Sequence, residues 1–165
     1  MMDRERRLSE KAREEIRRLQ GLYPQARSAL LPALFVAQGE EGYLSEEALE
    51  EVAELFDLPL SEVASVASFY TLFHRRPVGR HVIHFCTNLS CMLNGAEEIL
   101  AHLCRRLGIQ PGETTRDGLF TVKKAECLAA CDIAPMMLVD EEVYGNLTPQ
   151  KVDEILGKYR EEGSG

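Results

Sequence analysis

Four cysteines stand in two close pairs. Cys86-Thr-Asn-Leu-Ser-Cys91 is a C-x4-C unit, and after a gap of 35 residues Cys127-Leu-Ala-Ala-Cys131 is a C-x3-C unit. Four thiolates from two separate loops match what a two-iron, two-sulfide cluster needs, because each iron takes two protein sulfurs and shares the bridging sulfides. Such a cluster is anionic when oxidised and more so when reduced, so its loops should supply N–H donors rather than further carboxylates. Residues Thr87 to Cys91 and Leu128 to Asp132 are short, small-residue stretches suited to that task, and Thr87, Asn88 and Ser90 add side chains able to donate. A helix starting near Met92 would add its positive end. Asp132, next to Cys131, is unfavourable there unless its carboxylate turns to solvent.

Other chemistries compete for the same residues. Structural zinc also takes four thiolates, but its usual pairs are C-x2-C, and the spacings here are longer. A thioredoxin-type dithiol needs C-x-x-C, which is absent. Plant-type ferredoxin spacing would require a cysteine where Asn94 stands. Unrelated buried thiols are a fourth reading. The fifth cysteine, Cys104, falls mid-helix beside Leu103 and reads as a small packing residue. His81 and His84 flank a strand and read as ordinary strand residues, since four Cys leave no need for His ligands. No G-x-G-x-x-G, P-loop or Ser-His-Asp arrangement is visible, so the chain shows no nucleotide or flavin site of its own.

The net charge of −8 argues against a nucleic-acid partner. That charge divides evenly, with 10 basic and 14 acidic side chains in residues 1–78 and 9 and 13 in the remainder. No run of about 18 apolar residues is present to span a membrane. The first residues, Met-Met-Asp-Arg-Glu-Arg-Arg, do not read as a secretory signal. An odd cysteine count fits a reducing, intracellular setting better than a disulfide framework.

The elements that must position the cysteines follow from pattern. Residues 1–78 read as a small helical bundle. Ser9 caps a first helix ending at Gly21, whose interleaved Arg and Glu make a solvated face with i,i+4 pairs. A second helix runs from about Ser28 to Gln38 with Pro32 in its first turn and Gly39 and Gly42 ending it. Ser45 caps a third, with Leu49, Val52, Ala53 and Phe56 on its apolar face, and Val63, Val66, Ala67 and Tyr70 line a fourth. Ser68 to Phe73 closes the bundle with aromatics that either pack in the core or face a partner. Arg76-Pro77-Val78-Gly79 is the boundary. Residues 79–165 then read strand (81–85), helix (93–107), strand (119–123), cysteine loop, strand (136–139), strand (142–144) and a last helix from Thr148-Pro149 to about Tyr159. The tail from Glu161 reads as frayed. The fold class is therefore α+β, a helical bundle followed by a domain of thioredoxin-like order, and that order leads us to expect a cis Ala134–Pro135 bond.

From about Ile16 to Tyr159 the chain resembles the family of small thioredoxin-like [2Fe-2S] subunits of bacterial NADH:quinone oxidoreductase, respiratory complex I. The likeness rests on Ala67-Ser68-Phe69-Tyr70, Pro77-Val78-Gly79-Arg80, the four cysteines with Asn94-Gly95, Gly108-Ile109-x-Pro111-Gly112 and Asp117-Gly118-x-Phe120. Ala134-Pro135 and Leu147-Thr148-Pro149 complete it, while Ser68 and Ala130 depart from the commoner Thr and Gly or Ser. The resemblance implies one [2Fe-2S] cluster on Cys86, Cys91, Cys127 and Cys131. It implies FMN and NAD on a neighbouring flavoprotein subunit only, docked by the helical bundle, with the large iron-sulfur subunit as a second partner. It further implies a cytoplasmic place, peripheral to the inner face of the cell membrane. The same module occurs in NAD-linked and electron-bifurcating hydrogenases and in formate dehydrogenases.

Overall fold

The computed structural model describes residues 8–162 and divides the chain into two compact units that meet between Pro77 and Val78. The charged N-terminal heptapeptide and residues 163–165 of the tail lie outside the described residues.

The first unit is four helices: α1 (Glu10–Gln20), α2 (Leu30–Glu41), α3 (Glu46–Phe56) and α4 (Leu60–Phe69). The caps are those read from the sequence. The Ser9 and Ser45 hydroxyls accept from the N–H groups of Ala12 and Ala48 at 3.1 and 3.2 Å, satisfying donors the helices leave open. Helix α2 starts later than expected, after a 3-10 turn over Ala26–Ala29, and it continues through Gly39 to stop at Gly42, whose φ of 78° suits glycine. Ile16, Leu34, Leu49, Val52 and Val63 fill the core. Arg13 is a correction to the solvated first helix. It is buried and pairs with Glu51 of α3 at 2.5 Å, and the ion pairs along α1 are Arg13–Glu10 and Arg18–Glu15 at i,i+3 and Arg17–Glu10 at i,i+7. Tyr70 is a second correction: it lies past the end of α4 and is exposed. Of the closing aromatics only Phe73 is in the core, while Phe69, Tyr70 and Leu72 face outward.

The second unit is one four-stranded sheet with helices. Its elements are β1 (His81–Cys86), α5 (Leu89–Leu93), α6 (Ala96–Leu107), β2 (Phe120–Ala125), β3 (Met137–Val139), β4 (Glu142–Tyr144) and α7 (Pro149–Glu162). The strand order is β2-β1-β3-β4, with β1 parallel to β2 and antiparallel to β3. Mixed helix and sheet in this order is the α+β class expected, and the Ala134–Pro135 bond is cis. Ile83 and Phe85 of β1 share a core with Ile99 and Leu103 of α6 and with Val152 and Leu156 of α7. Thr148 caps α7 with Pro149 first, as read, but the helix extends to Glu162 and so includes the start of the expected frayed tail. The helix expected over 93–107 is instead two. Gly95 takes φ 85° and separates a short α5 from α6, because Asn94-Gly95 is a turn signal that ends the first and opens the second.

Candidate metal centre

Parallel pairing brings the C-terminal ends of β1 and β2, from which both cysteine loops continue, to one end of the sheet. Cys86 is the last residue of β1 and is the register partner of Ala125, the last residue of β2, so Cys127 comes two residues beyond that neighbour. The Ala125 carbonyl accepts from the Thr87 N–H at 3.0 Å and from the Thr87 hydroxyl at 3.2 Å, tying the first loop to the second. Cys86 donates its N–H to the Met136 carbonyl at 3.2 Å, adding β3 to the frame.

Cys91 sits within α5, which Asn88 caps by accepting from the Leu89 N–H at 2.8 Å. The Thr87 hydroxyl, an expected donor, is spent on Ala125, while Asn88 accepts through its side-chain Oδ1. No helix begins at Met92; it lies in α5, where Leu89, Met92 and Leu93 face solvent around the buried Cys91. Burial pushes the Cys91 thiol pKa up, and a hydrogen bond with Cys86 raises it further; a backbone hydrogen bond from Met136 opposes the rise. Charge on Cys86 and Cys131 adds to it.

The second loop differs in character. Cys127 and Cys131 are exposed, whereas Cys86 and Cys91 are buried. Ala129 donates its N–H to the Cys127 Sγ at 3.3 Å, and it reaches that position with φ 58°, a left-handed conformation that costs alanine about 1–2 kcal/mol. Cys131 opens a 3-10 turn, Cys131–Ile133, held against the end of β4: the Asn146 N–H donates to the Ile133 carbonyl at 2.6 Å, and Gly145 leaves room for the Ile133 side chain. The Asp132 side chain is exposed, the orientation an anionic centre requires. Sequence pattern gives no signal for the Ala129 donor, since nothing marks an alanine for positive φ. The Ile133–Gly145 contact is a tertiary pairing of the same kind.

The four paired cysteines fit a two-iron cluster. Two sulfurs for each of two irons, with the Ala129 N–H directed at the Cys127 sulfur, is the donor set a [2Fe-2S] group takes. Cys104 is not among them: it is buried in the core of the second unit, on α6, and burial raises its thiol pKa. His81 pairs with Asp140 at 2.7 Å and His84 is buried on β1, consistent with ordinary strand positions.

Comparison with known proteins agrees. The chain is 47% identical over 148 residues to an NADH-quinone oxidoreductase subunit of Rhizobium meliloti, covering 90% of this chain and 88% of that one. It is 39% identical over 153 residues to an NADH-quinone oxidoreductase subunit of Escherichia coli K12, covering 93% and 92%. A crystal structure of an NAD+-reducing [NiFe]-hydrogenase superposes with a TM-score of 0.70 at 33% identity, over 79% of this chain but only 22% of the hydrogenase chain. The model of one family matches residues 16–160, which include all four paired cysteines, and the chain therefore belongs to the thioredoxin-like [2Fe-2S] ferredoxins.

Proposed function

We propose that this chain is the electron-transfer subunit of an NADH:quinone oxidoreductase (complex I), carrying one [2Fe-2S] cluster on Cys86, Cys91, Cys127 and Cys131 beside a flavoprotein that binds FMN and NADH. The observation that carries the reading is the emergence of both cysteine loops from the adjacent C-terminal ends of neighbouring parallel strands. When bound, the cluster takes up and returns one electron at a time. The chain's own residues keep the sulfurs in place. Thr87 and Ala125 lock the two loops together, Ala129 donates to the Cys127 sulfur, and the core behind Phe85 keeps water from the first pair. The chain is thus part of an oxidoreductase and, by itself, a carrier without a substrate site.

Partners follow from the same reading. The helical unit exposes Phe35, Phe69, Tyr70 and Leu72, with Phe35 and Tyr70 both in ring contact with Phe73, and this aromatic face is our candidate for flavoprotein docking; aromatics are enriched at interface cores. The large iron-sulfur subunit would be the second neighbour. No helix among the described residues is long and apolar enough to cross a membrane, in keeping with a peripheral place at the cytoplasmic face. The likeness to an NAD+-reducing hydrogenase keeps the equivalent subunit of such an assembly as the second reading.

The test is an anaerobic EPR spectrum of the dithionite-reduced chain, with iron and zinc assayed on the same sample. A spin-half signal at about two irons per chain is expected. It should be lost in Cys86→Ser, Cys91→Ser, Cys127→Ser or Cys131→Ser and kept in Cys104→Ser. Stoichiometric zinc without a signal overturns the reading. Co-purification with a flavoprotein of a quinone-linked rather than a hydrogenase operon separates the two assemblies.

A further inference from the structure

We infer that Gln38 holds the aromatic face of the helical unit in its docking form, and that Arg75 and Arg76 at its end select a partner surface of apolar side chains edged by carboxylates. The inference rests on the flavoprotein reading proposed above and names the chemistry of that contact.

The face is built on a stretch without regular structure. Helix α4 ends at Phe69, and the chain turns extended at Tyr70. Phe69 is 79% exposed, and Phe35, Tyr70 and Leu72 are exposed with it. Exposed apolar patches of this kind mark interaction sites. Phe73 is the buried anchor, its ring 4.7 Å from Phe35 and 6.2 Å from Tyr70. Gln38 of α2 uses both ends of its amide on the same stretch. Its Nε2 donates to the Leu72 carbonyl at 3.1 Å, and its Oε1 accepts from the His74 N–H at 2.7 Å. The Leu44 N–H donates to the His74 carbonyl at 2.6 Å. A loop fixed before binding avoids the ordering cost that a loose one would meet on docking.

Charge sets the chemistry of the partner. From Ser28 to His74 there are nine Asp or Glu and no Lys or Arg. Arg75 and Arg76 follow directly, both exposed and neither in an ion pair among the described residues. His74 is clamped, so the Cα of Arg75 lies about 3.8 Å from a fixed residue. Carboxylates around an apolar partner segment would complete this pair. An anionic membrane would meet the same arginines, but the nine carboxylates of this unit would repel it.

The experiment uses the full chain with its cluster and the purified FMN-containing subunit, with association and dissociation rates read by biolayer interferometry. Gln38→Ala should slow association about 10- to 100-fold, because fewer free chains hold the competent loop, and leave dissociation near wild type. Gln38→Glu keeps the acceptor for His74 and should fall between the two. Phe69→Ala removes a contact and should instead speed dissociation. Arg75→Glu with Arg76→Glu should slow association about tenfold and abolish its fall with salt. Gln38→Ala that alters dissociation alone, Phe69→Ala with wild-type rates, or a charge-reversed chain with the wild-type salt dependence overturns the inference. So does capture of this face by vesicles of anionic phospholipid in place of the FMN-containing subunit. A chain that keeps its EPR signal yet binds no flavoprotein overturns the flavoprotein reading as well.

Discussion

Gly79 offers a severe test of how the site is framed. It lies just before β1, it is buried, and its N–H donates to the Thr121 Oγ1 at 2.6 Å. A Cβ placed on it would stand 2.8 Å from the Phe120 carbonyl carbon and 3.0 Å from the Phe120 nitrogen and the Leu119 carbonyl carbon. Those neighbours are backbone of β2 and its approach, so no side chain can swing away. Gly79→Ala must therefore push β1 and β2 apart. Overpacking of this kind costs about 1–3 kcal/mol, and stretching the buried hydrogen bond adds about 1. A total of about 2–4 kcal/mol corresponds to a fall in Tm of about 10–25 °C for a unit of this size. Gly39→Ala is the control. It lies within α2, where an added methyl would meet nothing within 4 Å, and should stabilise by about 0.5–1 kcal/mol. Thermal melts of the three chains decide the first question. Iron content after reconstitution decides the second, because the strands that must part are those that deliver Cys86 and Cys127. A Gly79→Ala chain that melts within a degree or so of wild type, with full iron, would refute the argument that close strand contact frames the centre.

Three further outcomes are expected. Leu103→Ala empties a fully buried position under the sheet and should cost about 2–5 kcal/mol in urea unfolding; a loss below about 1 would show that the core collapses around it. Ser45→Ala removes the acceptor for the Ala48 N–H and should cost about 0.5–2 kcal/mol, measured the same way, with Ser45→Asn restoring most of it. The hydrogen bond from His102, then the one from Arg106, hold the Asp153 carboxyl below its ordinary value. A lowered folded pKa gives stability that is present above the usual aspartate range and lost as pH falls through the folded value. The urea midpoint of wild type should thus exceed that of Asp153→Asn near neutral pH and converge with it in strong acid, and a gap that widens on acidification would contradict the assignment.

Much of this was legible because it is local. Ser9, Ser45 and Thr148 announce helix starts by hydroxyls one residue before an apolar period, and Cys86 and Cys127 announce themselves by following short β-rich runs. Where tertiary contacts decide, pattern misleads. Arg13 has the spacing of a surface arginine and is buried because Glu51, far along the chain, supplies its partner. Tyr70 continues the period of α4, yet the chain turns extended at that residue. Gly95 divides a stretch whose apolar residues suit one helix, and so Cys91 belongs to a short turn of its own. Ala129 is the extreme case: its role lies in a positive φ and an N–H direction, neither of which the side chain encodes.

The parallel pairing of β1 with β2 has a consequence for reading distant sequences. Strands that run the same way must be joined by a crossover of a dozen or more residues, and its length does not alter where the two strand ends emerge. The interval between the cysteine pairs is therefore elastic above that floor, and here α5, α6 and the loop to Phe120 occupy it. Spacing within each pair has no such latitude, nor has the number of residues from Ala125 to Cys127. A slip of β2 by one residue would reverse its faces and carry the second pair about 3.3 Å along the strand. A search for remote kin should hold the two short intervals fixed and leave the long one open.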